Sequence, residues 1–252
     1  MKLEQLFLLA AALAFIAVPQ VAGAQVGGIY QATLGEANQK TAEVSTEQLR
    51  RYLAEGSVLL LDSRPRAEFV GGHIPGAHIV EGSPAAVAAT VERLAQGDRG
   101  KPIVLYCNGP FCQASRRLGD QLVAAGFTNV RRYQLGLPVW RALGGPTAIE
   151  IEGVVRVFKA DRTAVFFDAR SPEEFARGSL PGAHNVPADH IATGSLKRAP
   201  MPLDDFNTRI VLFGRDGAQA RKLAEALSTR PWHNVTYFTG SGEALLSAIG
   251  NP

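Results

Sequence analysis

The chain contains one segment twice, and this repeat limits the possible folds more than any other feature. The first copy runs from Asp62 to His78 and the second from Asp168 to His184, without gaps. Both copies share an Asp-x-Arg triplet, a Glu-Phe pair and the run Pro-Gly-Ala-His. Internal similarity of this kind indicates that the chain carries one domain in tandem.

Apolar runs of strand length recur in both halves of the chain, with helical patterns between them. The strand-like runs are Val58 to Leu61, Ile103 to Tyr106 and Asn129 to Tyr133, and then Ala164 to Phe167, Ile210 to Phe213 and Asn234 to Phe238. Helical patterns cover residues 114–125 and 218–227. This alternation predicts an α/β fold in which each domain has a mostly parallel sheet covered by helices on both faces.

Two further patterns predict local structure near the ends of the first domain. Ser45 is a suitable N-cap for a helix over Thr46 to Glu55, with Gln48 three residues on to complete a capping box. Gly144, Gly145 and Pro146 interrupt the periodicity, and a strand is expected after them, over Glu150 to Phe158. We therefore expect domains at residues 43–147 and 148–250, preceded by a tether over residues 25–42.

The N-terminal stretch predicts export. Lys2 precedes an unbroken apolar segment from Leu6 to Val18, and small residues follow up to Ala24. This order is typical of a signal peptide over residues 1–24, and thirteen apolar residues are fewer than the roughly 20 that span a bilayer. We expect a periplasmic or secreted protein with no stable membrane span after cleavage.

Composition excludes several functional classes. With 46% apolar and 19% charged residues, the chain is expected to be globular. A net charge of +3 without a cluster of Lys and Arg predicts no nucleic-acid partner. Five dispersed histidines predict no metal site.

The loop after the second strand carries the candidate nucleophile. It reads Cys107, Asn108, Gly109, Pro110, Phe111, Cys112. In open α/β sheets, chemistry gathers at the carboxyl ends of strands. Backbone N–H groups and the following helix N-terminus can hold a thiolate there and lower the pKa of its thiol.

These residues resemble the rhodanese family, in which a six-residue loop begins with the catalytic cysteine directly after a strand. The Asp62-Ser-Arg64 triplet, the run from Gly72 to Ala77 and the spacing of Gly136, Trp140 and Gly144 resemble that family as well. The resemblance implies a sulfurtransferase in which Cys107 carries the sulfur as a persulfide, without a metal or an organic cofactor. It also implies a small sulfur-containing anion or thiol, or a thiol-carrying protein, as partner.

The candidate substrate-binding residues are Asn108, Gly109, Phe111 and Cys112 in the loop, and Arg66 after the first strand. Rhodanese loops often have a basic residue where this chain has Cys112, and Arg66, absent from the second copy, is a candidate for the missing charge. Arg64 recurs as Arg170 and is expected to form a structural ion pair. His73 is expected to be structural.

Several alternatives remain open on the sequence. Related phosphatases have a seven-residue loop, so the loop length favours sulfur over phosphate only if the loop ends at Cys112. Cys107 and Cys112 can also form a structural disulfide or a thiol redox pair. In the second copy Gly214 aligns with Cys107, and Asp216 would repel an anion, so that domain is expected to be inactive. A non-catalytic binding module is the third possibility.

Overall fold

The structure is a computed structural model that describes residues 38–190, 200–229 and 231–250. The predicted signal peptide and most of the predicted tether lie outside these residues. None of the helices in the described part of the chain is both long and apolar enough to cross a bilayer.

The first half of the chain forms one five-stranded sheet with helices on both faces. Its elements are β1 (Ala42–Glu43), α1 (Thr46–Glu55), β2 (Leu59–Asp62), α2 (Arg66–Phe69), β3 (His78–Ile79), α3 (Pro84–Leu94), β4 (Ile103–Tyr106), α4 (Ala114–Ala124), β5 (Val130–Tyr133) and α5 (Gly136–Ala142). The strand order is β1-β5-β4-β2-β3, and every pair is parallel.

The second half repeats this arrangement. Its elements are β6 (Thr147–Ile149), α6 (Ile151–Ala160), β7 (Val165–Asp168), α7 (Pro172–Ala176), β8 (His184–Asn185), a 3-10 turn (Ala188–His190), β9 (Ile210–Phe213), α8 (Gly217–Ser228), β10 (Val235–Phe238) and α9 (Gly242–Gly250). The order β6-β10-β9-β7-β8 matches the first sheet strand for strand. The predicted pair of parallel α/β domains is confirmed. Ala42 and Thr147, each one residue ahead of a predicted domain start, already belong to strands.

The sheet is buried on both faces because strand side chains alternate between two cores. In β4, Ile103 and Leu105 pack in the cluster that contains residues of α3 and α4. Val104 and Tyr106 pack on the other face, in the cluster that contains Trp140 of α5. At the start of the domain, the predicted capping box of Ser45 and Gln48 is present.

The predicted strand over Glu150 to Phe158 is wrong, because these residues form most of α6. Valine and isoleucine in this segment favour a strand locally. Gly153, Val154 and Val157, however, lie on one side of a helix and are buried there. A Cβ at Gly153 would lie 2.0 Å from the Val70 carbonyl oxygen, so the helix backbone packs directly on the first domain. Tertiary packing here overrides the local preference.

The two domains are joined by backbone hydrogen bonds as well as by side chains. His73 and Ala148 form an antiparallel bridge with N–H to carbonyl distances of 2.9 and 2.8 Å. The Glu150 N–H donates to the Val70 carbonyl at 3.0 Å. Residues 70–73, which follow α2, therefore hold the second domain against the first.

Candidate active site

Cys107 lies directly after β4, at the carboxyl end of a central strand. It is 3% exposed, and the loop that it begins continues to Gln113, the N-cap residue of α4. Within the described chain, the N–H groups of Asn108, Gly109 and Phe111 have no hydrogen-bond partner. Together with the first N–H groups of α4, they are the donors that this loop offers to an anion.

The loop is packed against Gly136, the first residue of α5. Gly136 has φ of +66°, and a Cβ there would lie 2.3 Å from the Cys107 carbonyl oxygen and 2.4 Å from the Gly109 nitrogen. The next residue, Leu137, donates its N–H to the Cys107 carbonyl at 3.0 Å. The start of α5 thus fixes the backbone on both sides of Asn108.

Cys107 and Cys112 are joined by a disulfide, with their Cα atoms 6.1 Å apart. The Cys112 N–H donates to the Gly109 carbonyl at 3.0 Å, which closes a turn between them. The structure therefore shows the oxidised form of the loop, one of the alternatives that the sequence left open. In this form Cys107 has no thiolate that could act as a nucleophile.

A chain of polar contacts links β2 to the cysteine loop. Arg64 binds both oxygens of Asp62, with Nε–Oδ1 at 3.0 Å and Nη2–Oδ2 at 2.6 Å, so the predicted ion pair is present. Nη1 of Arg64 lies 3.9 Å from Oε2 of Glu68, and that oxygen accepts a hydrogen bond from Asn108 Nδ2 at 2.5 Å. These contacts orient the residue next to Cys107.

Tyr106 ties this ion pair to the core. Its hydroxyl donates to Asp62 Oδ2 at 2.5 Å and accepts from the Ile74 N–H at 3.0 Å. Burial, and then the negative charge of Asp62, raise the pKa of Tyr106 well above its ordinary value, so the hydroxyl keeps its proton.

Tyr106→Phe is expected to lower the free energy of unfolding by about 1–3 kcal/mol, because it leaves the buried Ile74 N–H unpaired and removes one of the hydrogen bonds that Asp62 Oδ2 accepts. Urea unfolding of the full chain measures this loss. Tyr237→Phe is the matched control: it removes a hydroxyl from another buried tyrosine that makes no hydrogen bond in the described structure. Equal losses for the two variants would contradict the account of Tyr106.

The predicted substrate-binding residues take different positions around the loop. Asn108 lines a cavity next to Cys107, Gly109 is buried with φ of +112°, and Cys112 is bonded to Cys107. Phe111 is 69% exposed at the tip of the loop. Arg66 lies outside the cavity, where Nη2 pairs with Glu152 Oε1 of α6 at 3.1 Å. The structure thus brings Asn108, Gly109 and Cys112 together around Cys107 and directs Arg66 elsewhere.

His73 occupies a structural position, as expected. Its ring stacks on Phe69 at 3.9 Å between centroids, and Nδ1 lies 3.0 Å from the Phe69 carbonyl oxygen. Burial lowers the pKa of His73, and its backbone pairs with the second domain.

The corresponding loop of the second domain is shorter. The Gly214 carbonyl accepts an N–H from Gly242 of α9, as the Cys107 carbonyl does from α5, which supports the alignment of Gly214 with Cys107. Helix α8 begins at Gly217, one residue ahead of the predicted helical pattern, so only Gly214, Arg215 and Asp216 lie between β9 and α8. Asp216 caps this helix by accepting the Gln219 N–H at 2.8 Å. Neither a nucleophile nor a loop of comparable length is present there.

The sequence did not point to three of the four arginines that line the cavity beside Asn108, namely Arg141, Arg156 and Arg209. The cavity measures about 620 Å³ and lies between the two domains. Its lining includes Arg64 and Arg141 of the first domain and Arg156 and Arg209 of the second. One available signal was that α5 contains an arginine, whereas its counterpart α9 contains none.

Curated relatives match part of this chain. SseB of Mycobacterium tuberculosis, a protein named for thiosulfate sulfurtransferase activity, is 31% identical over 50% of this chain and 60% of its own length. The HTH-type transcriptional regulator Rv0324 of the same species is 33% identical over 41% of this chain and 43% of its own length. The chain therefore spans about half the length of the curated relatives that it matches.

The chain is also similar to solved structures and matches one family model. A thiosulfate sulfurtransferase from Pseudomonas aeruginosa overlaps 84% of this chain and 43% of its own, at 20% identity and a TM-score of 0.38. The model of the rhodanese-like domain matches residues 45–143 and again residues 155–248. These matches cover most of the chain, one in each sheet domain. The chain belongs to the rhodanese-like family, with two copies of its domain in tandem.

Proposed function

We propose that this chain is a sulfurtransferase that moves a sulfane sulfur through a persulfide on Cys107. The observation that carries the proposal is the position of Cys107: it begins a loop of free N–H groups after a central strand, in a rhodanese-like domain. The second domain, with Gly214 at the matching position, has no group that could carry sulfur there. Family membership and the relatives' names support a sulfurtransferase activity.

The proposed reaction has two transfers and starts from the reduced loop. The Cys107 thiolate attacks the outer sulfur of thiosulfate, the S–S bond of the donor breaks, and sulfite leaves with the bonding electrons. An acceptor thiolate or cyanide then attacks the outer sulfur of the persulfide, and Cys107 leaves as a thiolate. Covalent catalysis divides one difficult transfer into two easier ones. The N–H groups of the loop would stabilise the negative charge on sulfur in both steps.

The direct test is turnover by the full mature chain after reduction with a dithiol. Thiocyanate should form from cyanide when thiosulfate or an organic persulfide is the donor. Absence of product with both classes of donor would contradict the proposal.

The disulfide favours a second candidate function, a thiol redox protein that cycles between Cys107–Cys112 and the dithiol. Cys112→Ser separates the two candidates. Sulfur transfer through Cys107 needs only one cysteine, so the variant should keep its rate within about threefold of the wild type and no longer need prior reduction of an intramolecular disulfide. A two-cysteine redox cycle should be abolished. Dithiol oxidation and thiocyanate formation, both measured for the wild type and for Cys112→Ser, distinguish the two functions.

Phosphatase activity is the weaker alternative. Seven residues, Cys107 to Gln113, separate β4 from α4, so loop length alone does not exclude it. No residue of this segment carries a positive charge for any dianion, thiosulfate included, so the preference for sulfur over phosphate rests on the rhodanese-like family and the relatives' names rather than on the loop.

We also propose that the protein is exported and acts in the periplasm or outside the cell. Cleavage after Ala24 would leave Gln25 as the first residue of the mature chain. N-terminal sequencing of protein from a periplasmic fraction is expected to begin at that residue. An intact Met1 or Lys2 terminus in all fractions would contradict export.

A further inference from the structure

A second cavity lies on a different side of α5 from the cavity beside Asn108. Leu137 and Arg141 of α5 line the first cavity, whereas Trp140 lines the second, and the two cavities share no lining residue. We call the second one the Trp140 cleft, and it lies between α1, the end of α5 and α8 of the second domain. Its volume of about 440 Å³ is within the range of about 300–1,000 Å³ that is usual for sites of small organic ligands.

The inner wall of the Trp140 cleft is apolar. Leu53 and Val58 are half-buried and pack against the core cluster that contains Trp140, and Pro75 and Pro146 line the cleft beside them. Trp140 is 5% exposed, and its Nε1 donates to the Pro146 carbonyl at 3.0 Å, so the indole has no free donor for a ligand. This wall therefore fits an apolar group.

The indole of Trp140 is already covered by other groups. Cζ of Arg50 lies 5.6 Å from the centroid of its ring. A Cβ on Gly145 would lie 2.3 Å from the indole atoms Cε2 and Nε1, so the Gly145 backbone packs directly on the ring. Little of the indole is left for stacking with an aromatic ligand. The open apolar surface belongs to aliphatic side chains such as Leu53 and Val58, which favours an aliphatic ligand.

The charged side chains that line the cleft are Arg50, Arg221 and Glu225, and only two of them balance each other. In α8, Arg221 Nε donates to Glu225 Oε1 at 2.7 Å, so this pair carries no net charge. Nη2 of Arg50 donates to the Leu143 carbonyl, and its guanidinium lies over the Trp140 ring, so both of these partners are uncharged. No carboxylate of the described residues forms an ion pair with Arg50. The cleft therefore presents one uncompensated cation beside an apolar wall.

We propose that the Trp140 cleft binds a small monocarboxylate with an aliphatic body. The carboxylate pairs with Arg50, and the aliphatic body packs against Leu53, Val58 and Pro75, whose remaining apolar surface it removes from water. One negative charge is sufficient, because Arg221 is already neutralised within its own helix. The cleft shares no residue with the cysteine loop, so this site goes beyond the proposed sulfur transfer and does not depend on it.

Binding is tested with octanoate as the probe, and Trp140 supplies the signal. The chain has two tryptophans, so Trp232→Phe in the full mature chain leaves Trp140 as the only indole emitter. Octanoate is expected to change the Trp140 emission in a saturable way, and calorimetry on the wild type should give the same affinity with one site per chain.

Two comparison ligands separate the charge from the apolar body. Octanamide has the same aliphatic chain without the charge, and it should bind at least about tenfold more weakly because the charge-assisted hydrogen bonds to Arg50 are lost. Acetate has the charge without the chain and should show no measurable binding, because it buries almost no apolar surface.

Variants of α1 locate the site. Arg50→Gln should weaken octanoate binding at least about tenfold. Arg51→Gln is the matched control, since Arg51 is the next residue of the same helix, is also exposed and does not line the cleft, and it should leave the affinity unchanged. Ala54→Met should weaken binding as well, because the longer side chain of this exposed position occupies part of the cleft. All three positions are exposed, so the melting temperatures should stay close to that of the wild type.

Three outcomes would overturn the inference: no saturable binding of octanoate, equal affinity for octanamide, or equal affinities of the Arg50→Gln and Arg51→Gln proteins. The first would show that the cleft takes no such ligand, and the other two that its carboxylate does not pair with Arg50. A protein that forms thiocyanate but binds no octanoate would refute this site alone, whereas octanoate binding without any sulfur transfer would leave the site in place and refute the sulfurtransferase.

Discussion

Cys107→Ser is expected to reduce sulfur transfer by at least about 10⁴-fold, the scale on which enzymes lose activity with their covalent nucleophile. A serine hydroxyl has a much higher pKa than a thiol, and no persulfide can form on oxygen. The cysteine is 3% exposed and its carbonyl is held by Leu137, so the substitution of one atom leaves the packing of the loop in place. Steady-state thiocyanate formation by the reduced chain measures the effect.

Cys112→Ser is the control for this result, since it also removes the disulfide but spares the nucleophile. If both variants lose activity to the same extent, Cys112 takes part in the reaction and the two-cysteine redox function is favoured. If Cys107→Ser retains more than about one tenth of the rate, the sulfur is carried elsewhere, and the assignment of Cys107 is wrong.

Gly136→Ala is expected to lower the free energy of unfolding by about 2–5 kcal/mol. A positive φ costs an L-residue about 1–2 kcal/mol, and overpacking against the loop backbone costs about 1–3 kcal/mol more. The added Cβ would displace the Cys107 carbonyl or the Gly109 N–H, so the transfer rate should also fall at least tenfold, since about 1 Å of misplacement can cost about 100-fold. Urea unfolding and thiocyanate formation measure the two effects.

Gly56→Ala separates the backbone cost from the contact. Gly56 ends α1 with φ of +61°, close to that of Gly136, but a Cβ there would have no atom within 4 Å. This control should lose only about 1–2 kcal/mol and keep full transfer activity. A Gly136→Ala protein that is as stable and as active as the Gly56→Ala protein would show that the contact with the cysteine loop does not matter.

Much of the fold follows from the repeat and from short apolar runs. The runs Ile103 to Tyr106 and Ile210 to Phe213 are the central strands β4 and β9 with the predicted bounds, because residues buried on both faces of a sheet leave an uninterrupted apolar signal. The exception is α6, in which β-branched residues lie on a helical face that packs against Val70 of the other domain. A contact between domains does not alter the local pattern of apolar residues, so this pattern could not predict the helix.

The candidate site was predictable to the extent that it lies in one loop. Cys107 follows a recognisable strand, and the ion pair of Asp62 with Arg64 was visible in the repeated triplet. Arg66 was the predicted cation, but its side chain turns to Glu152. The arginines of the cavity come from segments far apart in the chain, and only the packing of the two domains brings Arg141 and Arg209 to one space. Residues that are so far apart in the sequence form no motif from which such a cavity could be predicted.

The contacts of the second domain show a contribution to the first domain that its sequence does not indicate. From the sequence it is a copy without a nucleophile. In the structure its β6 pairs with His73, α6 packs on Val70, and its arginines face the cavity beside Asn108. The second domain thus supplies part of the lining of the cavity beside the cysteine loop, although it has no nucleophile of its own.

The central claim is that Cys107 carries sulfur, and peptide mass spectrometry tests it most directly. The full mature chain is reduced, freed of reductant, exposed to thiosulfate or an organic persulfide, and digested without reduction. The account predicts that the peptide with Cys107 gains the mass of one sulfur atom, in the wild type and in Cys112→Ser, and loses it on addition of cyanide. A Cys107 peptide that gains no sulfur from any donor, or an added sulfur found on Cys112 instead, would contradict the account.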